Sequence, residues 1–132
     1  MEVAFISCVK TKLNKKSKAK DLYVSDLFKK SLGYTLKRYD KVYILSAKYG
    51  LLNLNDEILP YELTLNNMSK EEQKKWAYKV YTQIKEQIGI NNKFYFYCGV
   101  NYRKYLMQKL NSVAPLKGIS FGNQLKFYKE AL

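Results

Sequence analysis

Three short apolar runs stand out along the chain, and each has the composition of a buried β-strand. They cover residues 3–8, 41–46 and 93–98. Each run is rich in β-branched or aromatic residues, and Ser, Cys or Gly closes it. Continuous apolar runs of this length are typical of strands that other elements cover on both faces. The pattern therefore predicts three inner strands of one sheet.

The segment between the first two runs has the period of an amphipathic helix. Ser25 is a favourable N-cap, and Asp26 places a carboxylate in the first turn, where the helix dipole stabilises it. Apolar residues then recur at helical spacing, which predicts one buried stripe. The members of that stripe are Phe28, Leu32, Leu36 and Tyr39. We expect a helix over residues 25–39.

A second helix is predicted between the second and third runs. Ser69 and Glu72 match the capping box, in which each side chain accepts a hydrogen bond from the other residue's backbone amide. Gly89 is a favourable residue for ending the helix. The buried face is expected to hold Ala77, Val80, Tyr81, Ile84 and Ile88. Helical spacing also predicts a third helix over residues 101–110 and a fourth over 123–131.

Strands that alternate with helices predict a parallel sheet, because a parallel connection needs about a dozen residues. The fold class is therefore predicted to be α/β, as a small three-layer sandwich with a mainly parallel sheet. Residues 1–132 are expected to form a single domain, because a chain of this length can bury one core. A further strand over residues 116–121 is expected at an edge of the sheet, where Pro115 and Gly118 are tolerated.

Positive charge dominates the composition. Lys and Arg together number 24, against 11 Asp and Glu, which gives a net charge of +13. A charge of this size concentrates anions near the surface and speeds their association with the protein. We therefore expect a polyanionic partner, namely nucleic acid, with DNA favoured over RNA. A surface that is merely well solvated by Lys is the alternative interpretation.

The first residues and the cysteines of the chain indicate the cellular compartment in which the protein is expected. Glu2 stands where a secretory signal carries basic residues, and every apolar run is far shorter than the roughly 20 residues that a membrane helix needs. We expect a cytoplasmic protein with no membrane association. The chain has two cysteines, Cys8 and Cys98, and no His, which excludes Cys-His zinc sites, Ser-His-Asp triads and Cys-His dyads. No metal and no cofactor are expected.

The ends of the predicted strands bring small, polar and cationic residues to one edge of the sheet. In open parallel sheets, ligands bind outside the carboxyl ends of the strands. The residues expected there are Ser7, Cys8 and Lys10 after the first strand, Ser46, Lys48, Tyr49 and Gly50 after the second, and Gly99 and Tyr102 after the third. Such groups suit a phosphate or an electron-rich ring. Ordinary turn chemistry at strand ends is the alternative.

Residues 10–20 hold six Lys and no acid, in the loop that follows the first strand. Such a segment either stays a solvated loop or contacts a phosphate backbone, because clustered Lys bind phosphates without reading sequence. Lys10 lies two residues from Cys8, where its positive charge would favour a reactive thiolate. Cys98 is expected to pack as a small hydrophobic residue.

A loop over residues 53–65 carries Asp56, Glu57 and Glu62 around Tyr61. In a protein this basic, carboxylates are candidates for a general base or for partners of a ribose or a base edge. A polar loop without chemistry is the alternative, since loops collect such residues in any protein.

Ordered motifs along the chain resemble those of one known family. They are SCxKxK at residues 7–12, AKDLY at 19–23, ILSAKYGLL at 44–52 and PYxxTL at 60–65, with YxGxxY at 97–102 beyond them. The chain resembles domain-of-unknown-function family 6884, a group of small bacterial and phage proteins whose signature is SAK[YH]GLL followed by PY. That resemblance implies no particular chemistry.

The SAKYG pattern after a strand is also similar, more distantly, to segments of two other groups. These are the YaaA family of DNA-associated peroxide-stress proteins and the archaeosine-synthase-like and uracil-DNA-glycosylase-like domains. The resemblance implies work on nucleic acid or on modified bases. Uracil-DNA glycosylases use a His to stabilise the departing base, and this chain has none. Glycosidic cleavage here would therefore depend on Lys48, Tyr49 and a carboxylate.

The leading hypothesis is a nucleic-acid- or nucleotide-acting protein, an N-glycosidase that recognises a base at the carboxyl edge of the sheet. Its expected catalytic residues are Asp21, Lys48 and Asp56. Lys48 and Lys10 would hold phosphate or the leaving base, and Asp21 or Asp56 would orient a water molecule. Stacking on the base, or hydrogen bonds to it, are expected from Tyr23, Tyr49 and Tyr61. A non-catalytic DNA-binding module of the YaaA kind and a small-molecule nucleotide enzyme are the alternatives.

Overall fold

The computed structural model describes residues 1–8 and 12–131. The strands along these residues are β1 (Glu2–Ser7), β2 (Ser17–Lys18), β3 (Lys41–Ser46), β4 (Gly50–Leu52), β5 (Glu57–Ile58), β6 (Lys93–Tyr97) and β7 (Ser112–Val113). The helices are α1 (Ala19–Leu22), α2 (Asp26–Arg38), α3 (Lys70–Gln87), α4 (Val100–Met107) and α5 (Phe121–Ala131). A 3-10 turn over Leu65–Asn67 precedes α3.

One five-stranded sheet has the order β4-β3-β1-β6-β7. Strand β1 lies at its centre, parallel to β3 on one side and to β6 on the other. Strand β7 is parallel to β6, whereas β4 is antiparallel to β3. Helices α3 and α4 cover one face of the sheet, and α1, α2 and α5 cover the other. The predicted three-layer α/β sandwich with a mainly parallel sheet is therefore confirmed.

Strand β1 is buried on both faces, which explains its continuous apolar run. Val3 and Phe5 point into the core formed with α3 and α4, and Ala4 and Ile6 point into the core formed with α1 and α2. The partners in the first core include Val80, Ile84 and Leu106, and those in the second include Leu22, Phe28 and Ile44. Two hydrophobic cores therefore share this central strand.

Helix α2 begins as predicted, and its predicted apolar stripe packs against the core except at Leu36. The Ser25 hydroxyl accepts a hydrogen bond from the Phe28 amide at 3.1 Å, which confirms the N-cap. Leu36, expected in the buried stripe, is 53% exposed. Tyr34 is buried instead, because its ring meets the ring of Tyr128 on α5 edge-on, with the centroids 5.5 Å apart. The packing of α5 decides which face of α2 is covered.

Helix α3 matches its prediction closely. The Ser69 hydroxyl accepts from the Glu72 amide at 3.2 Å and the Glu72 carboxylate accepts from the Ser69 amide at 3.1 Å, so the capping box is confirmed. Gly89 follows the helix with a φ of +88°, and its amide donates to the Ile84 carbonyl at 2.8 Å. The buried face holds Gln73, Trp76, Ala77, Val80 and Ile84. Tyr81 and Ile88, expected on this face, are only partly buried at its edge.

The edge strand expected over residues 116–121 is wrong. The sheet ends instead at β7, a two-residue strand beside β6. Residues 115–118 form a turn, and Gly118 adopts a left-handed φ of +79° within it. Pro115 has no amide to donate to a strand ladder, so the chain turns directly after β7. Helix α5 then begins at Phe121, two residues earlier than expected.

The pattern of apolar residues did not predict the hairpin of β3 and β4. Gly50 opens β4 with a φ of +76°, and a Cβ atom on it would overlap the side chain of Gln83. The Gln83 amide oxygen accepts from the Leu51 amide at 2.9 Å, and its nitrogen donates to the Tyr49 carbonyl at 3.4 Å. The absence of a side chain at Gly50 therefore lets the hairpin pass close to α3.

We predict that Gly50→Ala destabilises the protein more than Gly89→Ala does. Both glycines have positive φ, which costs an alanine about 1 kcal/mol, but a Cβ atom at Gly89 meets no atom within 4 Å. At Gly50 the side chain of Gln83 must also move, which weakens two hydrogen bonds and costs roughly 1 kcal/mol more. Urea unfolding of the two variants measures the difference. Equal losses in free energy of unfolding would contradict the role given to Gln83.

Candidate functional site

The carboxyl ends of β1, β3 and β6 meet at one edge of the sheet. The Cys8 amide donates to the Leu45 carbonyl at 2.9 Å, so the pairing of β1 with β3 continues up to this edge. Beside it lies an open cavity of about 580 Å³, here named the carboxyl-edge cleft. Its lining consists of Cys8, Lys12, Glu62, Leu63, Thr64, Asn66, Asn67 and Tyr102. Of the residues predicted at this edge, Cys8 and Tyr102 therefore line a cavity together.

One wall of the cleft is the segment that leads into α3. The Thr64 hydroxyl accepts from the Asn66 amide at 3.3 Å and so starts the 3-10 turn. Leu65 is fully buried, and its carbonyl accepts from the side-chain amide of Gln73 at 2.9 Å. The side-chain amide of Asn101 donates to Asn66 Oδ1 at 2.8 Å. The last contact holds the Asn66 side chain at the rim of the cleft, and Asn67 lines the cleft beside it.

Tyr102 joins this wall to the end of β1. It lies in the first turn of α4, whose N-cap is Gly99. Its hydroxyl oxygen is 3.3 Å from the Cys8 sulfur, which donates to it, and 3.4 Å from the Leu65 amide. Its ring meets the Trp76 indole edge-on at 5.6 Å between centroids. The phenol therefore faces the thiol of Cys8 across the base of the cleft.

A chain of buried hydroxyl groups lies behind the cleft. The hydroxyl oxygens of Tyr23 and Tyr61 are 2.6 Å apart, and the Ser46 hydroxyl donates to Tyr61 at 2.7 Å. Ser46 also accepts from the Tyr49 amide at 3.1 Å. The Lys12 ammonium stands 4.8 Å from the centre of the Tyr61 ring. Four predicted site residues, Tyr23, Ser46, Tyr49 and Tyr61, are thus linked to one another, with Tyr23 only 1% and Tyr61 only 8% exposed.

Burial keeps these phenols neutral. Loss of solvent raises the pKa of Tyr23 and of Tyr61 far above the ordinary value of 10, and the nearby Cys8 thiol raises both further. The same two causes raise the pKa of Tyr102. At neutral pH each of these side chains therefore carries its proton and offers a hydroxyl rather than a negative charge.

The end of β6 borders a second, smaller cavity of about 220 Å³. Gly99 and Cys98 line it together with the cations Arg103 and Lys117. The Cys98 thiol donates to the Phe5 carbonyl at 3.2 Å, and burial raises its pKa above the ordinary value of 9. Ser7 lies within hydrogen-bonding reach of this thiol. Cys8 and Cys98 are both free thiols.

The three residues predicted to be catalytic lie apart from the cleft. Lys48 is exposed in the turn between β3 and β4, and its ammonium rests 5.3 Å from the centre of the Tyr49 ring. The Asp56 carboxylate accepts from the Asn53 amide at 2.9 Å and closes the turn before β5. Asp21 is exposed on α1. Their catalytic roles stay predictions, and Lys10 lies outside the described residues.

Four lining residues were not predicted from the sequence, namely Leu63, Thr64, Asn66 and Asn67. Asn66 and Asn67 follow the PYxxTL motif directly and precede the Ser69 cap, in a short stretch that no motif singles out. Their position in the sequence could have indicated them, because they lie between Leu65, which is buried, and the N-cap of α3 at Ser69. Glu62 was noted as a loop carboxylate, and in the structure it lines the cleft.

Carboxylates are few beside the cations of this chain, with 11 Asp and Glu against 24 Lys and Arg. Within residues 1–8 and 12–131, the salt bridge found is that of Lys30 with Asp26, at 2.6 Å. No group of three or more Cys, Asp or Glu side chains in that part of the chain is placed to hold a metal ion. None of its helices combines the length and the apolar character needed to cross a membrane.

A family model matches residues 3–130, which is nearly the whole chain. The chain belongs to DUF6884, a family of unknown function. The resemblance expected from the motifs is therefore confirmed, and the match includes every element that builds the cleft. No curated protein matches this DUF6884 chain. The likeness to YaaA proteins and to glycosylase-like domains stays a prediction.

We predict that the phenols of this DUF6884 protein make it lose stability above pH 10. A group whose pKa is raised on folding stabilises the protein fully below its unfolded pKa, near 10, and that stability is lost as pH rises further. Tyr61→Phe should lower the free energy of unfolding at pH 7 by about 1–3 kcal/mol, because hydrogen bonds to Tyr23 and Ser46 are lost. Above pH 10 the difference from wild type should shrink by up to about 1.4 kcal/mol per pH unit.

Urea unfolding between pH 7 and pH 11 tests this expectation. Tyr78→Phe is the matched control. It removes the same hydroxyl group from a side chain that is 64% exposed and takes no part in the buried network. A constant difference between Tyr61→Phe and wild type across this pH range would show that Tyr61 does not titrate as its burial requires.

Proposed function

We propose that the protein binds nucleic acid, DNA in particular, and that one unpaired nucleotide enters the carboxyl-edge cleft. The observation that carries the proposal is the lining of that cleft, which combines a cation, two side-chain amides and hydroxyl groups at the carboxyl ends of parallel strands. A volume of about 580 Å³ lies in the range of small-ligand sites. A base must leave its stack to enter such a site, so single-stranded regions are the preferred substrate.

The lining supports this ligand group by group. Side-chain amides both donate and accept hydrogen bonds, so Asn66 and Asn67 suit the edge of a base. Leu63, which is 45% exposed, offers apolar surface for the base itself. Lys12 belongs to the run of six Lys over residues 10–20, which suits the phosphates. The net charge of +13 draws the polyanion to the protein.

Hydrolysis of the N-glycosidic bond is the reaction that this lining supports best. Glu62 is the acidic residue of the described lining. In the proposed step its carboxylate takes a proton from a water molecule, whose oxygen bonds to C1′ of the sugar. The bond between C1′ and the base nitrogen breaks, its electron pair leaves with the base, and the base takes up a proton from solvent. Neutral phenols such as Tyr102 support the leaving base as hydrogen-bond donors.

A non-catalytic DNA-binding module is the second candidate. The observation in its favour is that Asp21, Lys48 and Asp56 lie apart from the cleft, and that Glu62 is exposed. An exposed carboxylate is a weak general base unless a bound substrate covers it. The +13 charge and the Lys-rich segment suffice for binding without turnover.

We predict salt-dependent binding that a charge change at the cleft weakens. Fluorescence anisotropy with a labelled single-stranded DNA should show affinity falling steeply between low and moderate salt. Asn67→Asp should weaken binding at least about fivefold, because the new carboxylate repels phosphate. Asn91→Asp is the matched control, since it makes the same change in an exposed residue before β6, at the opposite edge of the sheet. Absent binding at low salt, or equal losses in both variants, would contradict the proposal.

Turnover is tested separately by following the release of free base. Glu62→Gln should lower base release from single-stranded DNA at least about tenfold while binding is kept, because the amide cannot take the proton. Glu86→Gln, the same change at an exposed site near the end of α3, should leave release unchanged. Binding without any base release from the wild-type protein would favour the non-catalytic module.

A further inference from the structure

A groove runs between the two helices on one face of the sheet. It has a volume of about 380 Å³ and is lined by Lys74 and Tyr78 of α3 and by Tyr105, Gln108 and Lys109 at the end of α4. We name it the lysine-tyrosine groove. Tyr78 is 64% exposed in it, which is unusual for so large an aromatic side chain.

Helical spacing produces this surface. Lys74 and Tyr78 are four residues apart on α3, and residues four apart lie on the same side of a helix. Tyr105 lies on the neighbouring α4, and Lys109 lies in the turn that follows that helix. A cation and a ring therefore line the groove from each side.

The Lys ammonium groups of this surface lie close to its Tyr rings, at cation–π distances. Tyr105 has the ammonium of Lys74 at 5.6 Å from its centroid and that of Lys104 at 5.1 Å. Tyr81, further along α3, has Lys85 at 5.6 Å and Lys109 at 5.7 Å. Within residues 1–8 and 12–131 none of these four Lys forms a salt bridge. Their charge is therefore not cancelled by carboxylates of the same stretch.

We propose that the lysine-tyrosine groove binds the nucleic-acid strand that flanks the nucleotide held in the carboxyl-edge cleft. This inference rests on the proposed function. Lys74, Lys104 and Lys109 contact successive phosphates, and Tyr78 stacks on an unpaired base. Single-strand binding sites in general combine a cationic track with aromatic platforms.

The cleft and the groove both border α4. Tyr102 lines the cleft, and Tyr105, one turn later on the same helix, packs beside Lys74 of the groove. The helix rises about 7.5 Å from Tyr102 to its end at Met107, at about 1.5 Å per residue, and Lys109 lies two residues beyond. About two stacked nucleotides, at roughly 3.4 Å each, cover that length of helix. A strand that leaves the cleft along α4 therefore meets Lys and Tyr in turn.

The test compares ligands of two lengths on the full chain. Thymidine monophosphate reaches only the cleft, whereas a ten-nucleotide oligothymidine also reaches the groove. Lys74→Gln combined with Lys109→Gln should weaken oligonucleotide binding and lower the salt slope by about 1.4, at roughly 0.7 for each lost phosphate contact on a single strand. Tyr78→Ala should weaken it about tenfold, the size of one lost stacking contact. Binding of the mononucleotide should stay unchanged in both variants.

Lys29→Gln combined with Lys37→Gln is the matched control, because it removes the same charge from exposed positions on α2, in the opposite layer. The inference is overturned if the control lowers affinity and salt slope as much as the groove variant, or if Tyr78→Ala leaves oligonucleotide affinity unchanged. It is also overturned if the groove variants lose affinity for an acidic peptide while keeping it for the oligonucleotide. A wild-type protein that binds neither nucleotide ligand would instead refute the proposed function.

Discussion

The pairing of β1 with a parallel strand on each side is the constraint on which the rest of the structure depends. Val3, Ala4, Phe5 and Ile6 are all buried, and the strand contributes side chains to both hydrophobic cores. Because β3 and β6 both run parallel to β1, their carboxyl ends reach the same edge. The cleft, the buried hydroxyl groups and the start of α4 all lie at that edge as a consequence.

Local patterns predicted the parts of the fold that depend on local physics. The three inner strands, the Ser25 N-cap and the Ser69–Glu72 capping box are each encoded within a few residues. The burial of Tyr34 on α2 is not, because this ring is covered by α5, whose position depends on the whole chain. The edge strand failed for the opposite reason, since Pro115 and Gly118 determine a turn there.

The sequence indicated which edge of the sheet holds the cavity, but it indicated few of the residues that line it. The strand ends indicated Cys8 and Tyr102, and both line one cavity in the structure. The order of residues along the chain does not reveal where a side chain points, however. The β3–β4 hairpin leaves Lys48 exposed, and a 3-10 turn fixed by Gln73 and Asn101 brings Asn66 and Asn67 to the cleft instead. Both arrangements depend on contacts between residues far apart in the sequence.

The central claim is that a nucleotide occupies the carboxyl-edge cleft. The most direct measurement is a titration of the isotopically labelled protein with thymidine monophosphate, followed through its backbone amide signals. The account predicts the largest shifts at residues 62–67 and at Tyr102, with none at residues 88–92 at the opposite edge. Shifts confined to residues 88–92 or to α2 and α5, with residues 62–67 unmoved at saturating nucleotide, would contradict it.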